Sequence, residues 1–312
     1  MTILIREQVP RRNQEPLSHR FLDRISHVNK NQGFCFNLVS FFNTLSQARN
    51  PTMHTSLSPN ASSMELLRTI NHGLDLLCGH HFSESAATLR QAIKMIADAV
   101  QQQQHDERSA VPADYASIYF ESVSIQDKLS DLHGNKNSFV DHNTLYLHQE
   151  VFVFRHQQHQ EAIEGPVVAA PYCPRVMDLH ARSLSGALMY NLAFAYHLQG
   201  LYERKTAPAD FHKNWEKAGR LYEVAMTSLQ GTTAQSTPYV MLAVLNNQAH
   251  LSMQVWNFGS IHRNMEAMKF LLEQLLAANM PPVQNLDPMV LEAFHMNVVC
   301  AHGIEARSAP AA

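Results

Sequence analysis

The sequence predicts a mostly α-helical chain: antiparallel helix pairs, a small inserted β-hairpin and a disordered N-terminal arm. Three observations lead there. Residues 188–200 and 217–229 carry apolar side chains at helical spacing on two neighbouring segments. The pattern returns upstream and downstream, with Asn71, Asn191 and Asn247 at one fixed place in each first helix. Residues 115–155 change character, mixing β-branched and aromatic residues in partial alternation.

The central segment, LMYNLAFAYHLQG at 188–200, has no proline and ends on Gly200, which suits a left-handed helix cap. Leu188, Leu192 and Ala195 line one face, and Met189, Ala193 and Tyr196 the next. A helix apolar on more than one side is covered on more than one side. In the second segment Ala218, Leu221, Tyr222, Ala225 and Leu229 recur at helical spacing. Ala218 and Ala225, two turns apart, let a neighbouring helix come close. Residues 201–215, with Pro208, form a long connector between the two helices.

This pair resembles a tetratricopeptide repeat, a helix-turn-helix unit with Trp/Tyr, Leu, Gly and Tyr in its first helix and Ala, Phe/Tyr and Ala in its second. Tyr190, Leu192, Ala193 and Tyr196 match the first set, with Ala193 in place of glycine; Ala218, Tyr222 and Ala225 match the second. Upstream, Asn71, Gly73, Leu76, Phe82, Ser85, Leu89 and Ala92 fit one repeat. Downstream, Asn247, Ala249, Ala267 and Leu271 fit another, with Gln274 where alanine is usual. The asparagines are 120 and 56 residues apart, against a usual repeat of about 34, so the array is degenerate and interrupted. The phrases YNLA (190–193), LNNQAH (245–250), FHMNV (294–298) and APAA (309–312) are also similar to a group of tetratricopeptide-like proteins from unicellular algae. That group carries no assigned chemistry, so the resemblance implies a fold: a tetratricopeptide-like (TPR-like) α-solenoid. The implied organisation is a basic disordered arm (1–60), a degenerate helical domain (61–306) with strands and a linker inserted at 115–175, and a free tail (307–312).

In chain order, the arm holds seven Lys and Arg against three acids and is locally +4. Within it FCFNLVSFF, 34–42, reads as a strand or helix turn docking on the repeats, or as a targeting or partner motif. Ser62-Ser-Met-Glu65 is a capping box that opens a helix running to Gly79. Phe82, Ala86, Leu89, Ile93, Ile96 and Val100 form an amphipathic stripe, and 101–104 fray it. Residues 118–120 and 146–154 read as strands around a loop at 131–143, and 157–174 as a linker. Helix resumes near Met177. Residues 239–256 and 265–278 form the next pair, stopped by Pro281 and Pro282. Pro288 opens a last helix, to about 306, that closes the array.

Length and composition bound the rest. A chain of 312 residues, 45% hydrophobic, can bury a core. A net charge of −3 gives no pull toward nucleic acid or anionic membrane. Cys35, Cys78, Cys173 and Cys300 form no CxxC pair, so a cysteine zinc site is not expected. No apolar run approaches about 20 residues and no secretory leader is evident. An intracellular, cytoplasmic or nuclear protein is the expectation. The basic arm raises an RNA-binding reading, which the overall charge opposes.

No catalytic signature is present: neither GxSxG nor GxxxxGK[ST] nor GxGxxG occurs. No cofactor is expected. Of the 19 histidines, His156 and His159 with Glu161 and Glu164 are the densest cluster, the basis of an alternative metal-binding or enzymatic reading. His80 and His81 suit a helix C-terminal cap. The recurrent Asn71, Asn191, Asn247 and Asn297 admit two roles: bonds between helices, or a grip on a partner's backbone. In tetratricopeptide arrays the first helices line the inner groove. The resemblance therefore places Ile70, Leu74, Tyr190, Asn191, Phe194, His197, Asn246 and His250 on that surface. The surface lacks the Lys/Arg set that holds a terminal carboxylate. The expected partner is another protein, offering an apolar peptide or helix, with neither nucleic acid nor membrane involved.

Overall fold

The computed structural model describes residues 63–105, 118–125, 145–156, 174–206, 211–230, 232, 237–277 and 288–308. All lie in one unit, Thr55–Ala312. In order they form α1 (Ser63–Cys78), α2 (Phe82–His105), β1 (Ile118–Ser124), β2 (Glu150–His156), α3 (Pro174–Thr206), α4 (Phe211–Leu229), α5 (Thr237–Gln254), α6 (Phe258–Ala277) and α7 (Pro288–Ser308). The described residues are mostly helical, with one two-stranded antiparallel sheet. The expected arm at 1–60, its segment 34–42 and the last four residues of the tail lie outside the described residues.

Helices pair in sequence. α1 packs on α2, α3 on α4 and α5 on α6, while α2, α4 and α6 each also pack on the helix that follows them. The first helices α1, α3, α5 and α7 touch one another in that order. α1 forms because Leu66, Leu67, Ile70, Leu74 and Leu77 fall on one stripe, and all are buried. At Gly73 a Cβ would stand 2.9 Å from the side chain of Leu89, so this glycine lets α2 in close. α1 ends at a left-handed His80 (φ 65°), with the Gly79 and His81 amides donating to the carbonyls of Asp75 and Leu76. α5 ends the same way: Trp256 has φ 57°, and the Asn257 amide donates to Ser252 O at 2.8 Å. Two pairs thus share one turn, a Schellman cap with a residue other than glycine in the left-handed position.

The central pair departs from expectation. α3 does not stop at Gly200; it continues to Thr206, and α4 begins at Phe211. The long connector is taken up by lengthening both helices, leaving residues 207–210 between them. Gly200 is not a cap. It sits inside α3 under the Trp215 ring, which a Cβ there would overlap. Asn214 of α4 donates to Glu203 of α3 at 2.7 Å, tying the added turns together. α6 likewise starts at Phe258, ahead of the expected position 265.

The hairpin is present, with a register of Phe120↔Phe154, Ser122↔Phe152 and Ser124↔Glu150. Its connecting loop lies outside the described residues, as does the linker at 157–173. Residues 145–149 continue β2 backwards as an extended chain. The core runs along α3 and α5, where Leu188, Tyr190, Leu192, Phe194, Val240 and Val244 have no more than trace exposure.

Candidate functional site

One edge of β2 bonds to β1; the other faces the first helices. Along a strand, alternate residues direct their peptide groups to the same edge. Tyr146, His148, Glu150, Phe152 and Phe154 are such a set, and each of their carbonyls accepts a hydrogen bond from a helix side chain. Asn297 of α7 and Asn246 of α5 donate to Tyr146 O (2.8 and 3.0 Å), and Asn247 donates to His148 O at 3.0 Å. Tyr190 of α3 donates to Glu150 O at 3.1 Å, Asn191 to Phe152 O at 2.7 Å, and Asn71 of α1 to Phe154 O at 3.2 Å.

Three of these asparagines also accept. The amides of Tyr146, His148 and Phe152 donate to the Oδ1 atoms of Asn297, Asn247 and Asn191 at 2.7, 2.9 and 2.9 Å. An asparagine amide carries a donor and an acceptor side by side, as a peptide group does. Four first helices thereby present a ladder that stands in for a neighbouring strand. The spacing permits it: eight residues of strand from 146 to 154 span about 26 Å at ~3.3 Å each. Three steps between helices at ~8–10 Å cover the same distance. Asn71 is the weak rung, since its Oδ1 has no hydrogen-bond partner among the described residues.

The middle of the ladder is a buried polar network. Tyr190 accepts from Asn247 Nδ2 at 3.0 Å while donating to Glu150 O. Tyr239 of α5 donates its hydroxyl to the Glu150 carboxylate. Burial, with the Glu150 charge adding to it, raises the Tyr239 pKa and keeps that proton in place. Phe152 meets the rings of Tyr190 and Tyr239 edge-on, with centroids 5.1 and 5.7 Å away. His148 lies among Tyr239, Tyr190 and Phe294. Burial lowers its pKa to about 4, the Glu150 charge opposing only in part, so the ring is neutral. Its Nε2 has no hydrogen-bond partner among the described residues and stands 4.0 Å from Glu150 Oε2.

A second buried group lies between helices. His250 Nδ1 and His197 Nε2 share a hydrogen bond of 3.2 Å, and His197 Nδ1 pairs with the Tyr222 hydroxyl of α4 at 3.3 Å. Desolvation lowers both histidines, His250 to about 4, and at His197 the neighbouring His250 lowers it further. They couple α3, α4 and α5 and bear no charge near neutrality.

The eight residues expected on an open groove all lie inside the described structure instead of on its surface. Ile70, Leu74, Tyr190, Asn191, Phe194, His197, Asn246 and His250 are each buried. Tyr190, Asn191 and Asn246 touch the chain's own strand through the bonds above. Phe194 stacks on Tyr190 at 5.9 Å, and His197 and His250 face each other. The recurrent asparagines grip the backbone of this same chain, and Asn297 also donates to Asn246 between α7 and α5, the expected bond between helices. Sequence reading did not find Glu150, Tyr239 or His148 as members of the site. The alternation through 146–154 was the only signal for His148 and Glu150, and Tyr239 on α5 had none. Of the histidine-rich alternative, His159, Glu161 and Glu164 lie outside the described residues; among the described ones no cluster of three or more His, Cys, Asp or Glu could hold a metal. No helix among the described residues is long and apolar enough to cross a membrane. No family model, curated protein or solved structure matches the chain.

Proposed function

We propose that this protein is an interaction scaffold: a tetratricopeptide-like run of helix pairs whose first helices form a concave face that holds an extended chain by its backbone. The observation that carries this is the asparagine ladder. Four helices each supply an amide to one strand, and three rungs read both N–H and C=O. Side chains that bond to main chain accept many sequences, which is how strand addition works in recognition modules. The ladder favours an extended partner over a helical one, because a helix satisfies its own backbone and offers nothing to such rungs.

The test is capture with the full chain in two forms: one in which Phe152→Ala and Phe154→Ala loosen residues 145–156, and the same chain with Asn247→Ala added. A defined protein bound by the first and lost from the second supports the scaffold. A loosened chain that keeps its helical circular dichroism and binds nothing through Asn247 overturns it.

A further inference from the structure

We propose that the concave face is a strand-acceptor site for an extended acidic–aromatic peptide, and that residues 145–156 are its exchangeable occupant in cis. This rests on the scaffold reading and adds what the site selects and what competes for it.

The chemistry of the occupant can be read rung by rung. A peptide in this register needs free amides opposite Asn297, Asn247 and Asn191, which excludes proline at the places of Tyr146, His148 and Phe152. It needs an acidic side chain at the place of Glu150, where the Tyr239 hydroxyl points at a carboxylate. It needs an aromatic ring two residues later, between the edges of Tyr190 and Tyr239. It runs from α7 toward α1, opposite to the order of the helices in the chain.

Two features mark the present occupant as replaceable. Its fit is incomplete: His148 Nε2 on the strand and, at its far end beside Phe154, Asn71 Oδ1 of α1 are buried polar atoms without hydrogen-bond partners among the described residues. Each such atom is a cost that a better-matched peptide avoids. The occupant, though buried on both faces, is also tethered as part of the same chain. β1 covers its other edge; Ile118 and Ile125 at its two ends are buried, while Glu121, Ser122, Val123 and Ser124 between them are exposed. A tethered ligand competes through a high effective concentration, and loosening it opens the site to a peptide in trans.

The experiment uses a fluorescent peptide with the sequence of residues 144–157 and the full chain carrying Phe152→Ala and Phe154→Ala. The peptide is expected to bind this chain at least about tenfold more tightly than it binds the wild type. Adding Asn247→Ala to the chain abolishes binding. Glu150→Gln in the peptide weakens it about tenfold, and His148→Phe in the peptide tightens it. Should the loosened chain not fold, a wild-type chain with a specific cleavage site placed in 157–173, cut after folding, takes its place. Binding that needs Asn247 but ignores Glu150→Gln overturns the acidic class and leaves the scaffold reading standing. A folded chain, loosened or cut, that shows no binding dependent on Asn247 overturns both.

Discussion

The first helices α3 and α5 and their partners α4 and α6 differ in how they are buried. α4 and α6 show the ordinary amphipathic arrangement, a single buried stripe of Trp215, Ala218, Leu221, Tyr222, Ala225 and Leu229 in one and Ile261, Met265, Met268, Leu272 and Leu275 in the other. α3 and α5 are covered nearly all round, and their buried sets include Asn191, His197, Asn246, Asn247 and His250. Partner helices are held mainly by shape and apolar area, with Asn214 and the Tyr222 hydroxyl as polar links from α4 to α3. First helices are held in addition by polar groups whose only compensation is another part of the same chain. Polar burial without a partner costs more than apolar burial gains per group, so the two classes of helix should fail in different ways.

The largest effect is expected at the ladder. Asn247→Leu orphans the His148 amide and carbonyl together, at about 1–3 kcal/mol per buried group, so a loss of about 2–6 kcal/mol is expected in urea unfolding. Asn71→Leu, which removes a single bond at a weak rung, should cost only about 1 kcal/mol. Equal losses at the two positions would erase the distinction between rungs.

Acidification comes next and acts through buried histidines of the first helices and their strand. His148 and His250 are each lowered from 6.5 to about 4 by burial. The unfolded chain therefore takes up protons first, and stability present above pH 6.5 is lost as the pH falls toward 4. A difference of this size corresponds to about 3 kcal/mol per histidine. His250→Gln should flatten the fall in melting temperature between pH 7 and 4.5, and a slope unchanged by it would remove that histidine from the account.

Packing substitutions probe the other class. Gly200→Ala drives a Cβ into the Trp215 ring and should cost about 1–3 kcal/mol, with a change in tryptophan fluorescence. Ala225→Leu, at a position with no exposure in α4, should cost about 1–3 kcal/mol by overpacking; an undiminished melting temperature would mean the crossing is not tight. The smallest effect is at the surface. Arg220 pairs with Glu216 one turn away, both well exposed, and Arg220→Ala should change stability by less than about 0.5 kcal/mol.

Much of this was legible in the sequence because it is local. Helical periodicity found the pairs, Pro288 marked the start of the last helix, and the shared offset of Asn71, Asn191 and Asn247 singled out those asparagines, though not the strand they hold. What the sequence misplaced were ends and lengths. Gly200 looked like a cap, yet Trp215, fifteen residues on, needs its missing Cβ; with that contact made, α3 runs on for six more residues. A residue that serves a turn and one that makes room for a ring are the same letter.

The sequence by itself determined the helical class, the pairing of neighbours and the positions of the asparagines, because each depends on residues within a few turns of one another. Only the tertiary structure decided what those asparagines hold. Their partners are 39 to 151 residues away along the chain, and no periodicity encodes which extended segment crosses four helices. The same holds for Tyr239 and Glu150, 89 residues apart. A backbone offers the same donor and acceptor at every residue, so its choice of partner leaves no mark in the sequence until the chain is folded.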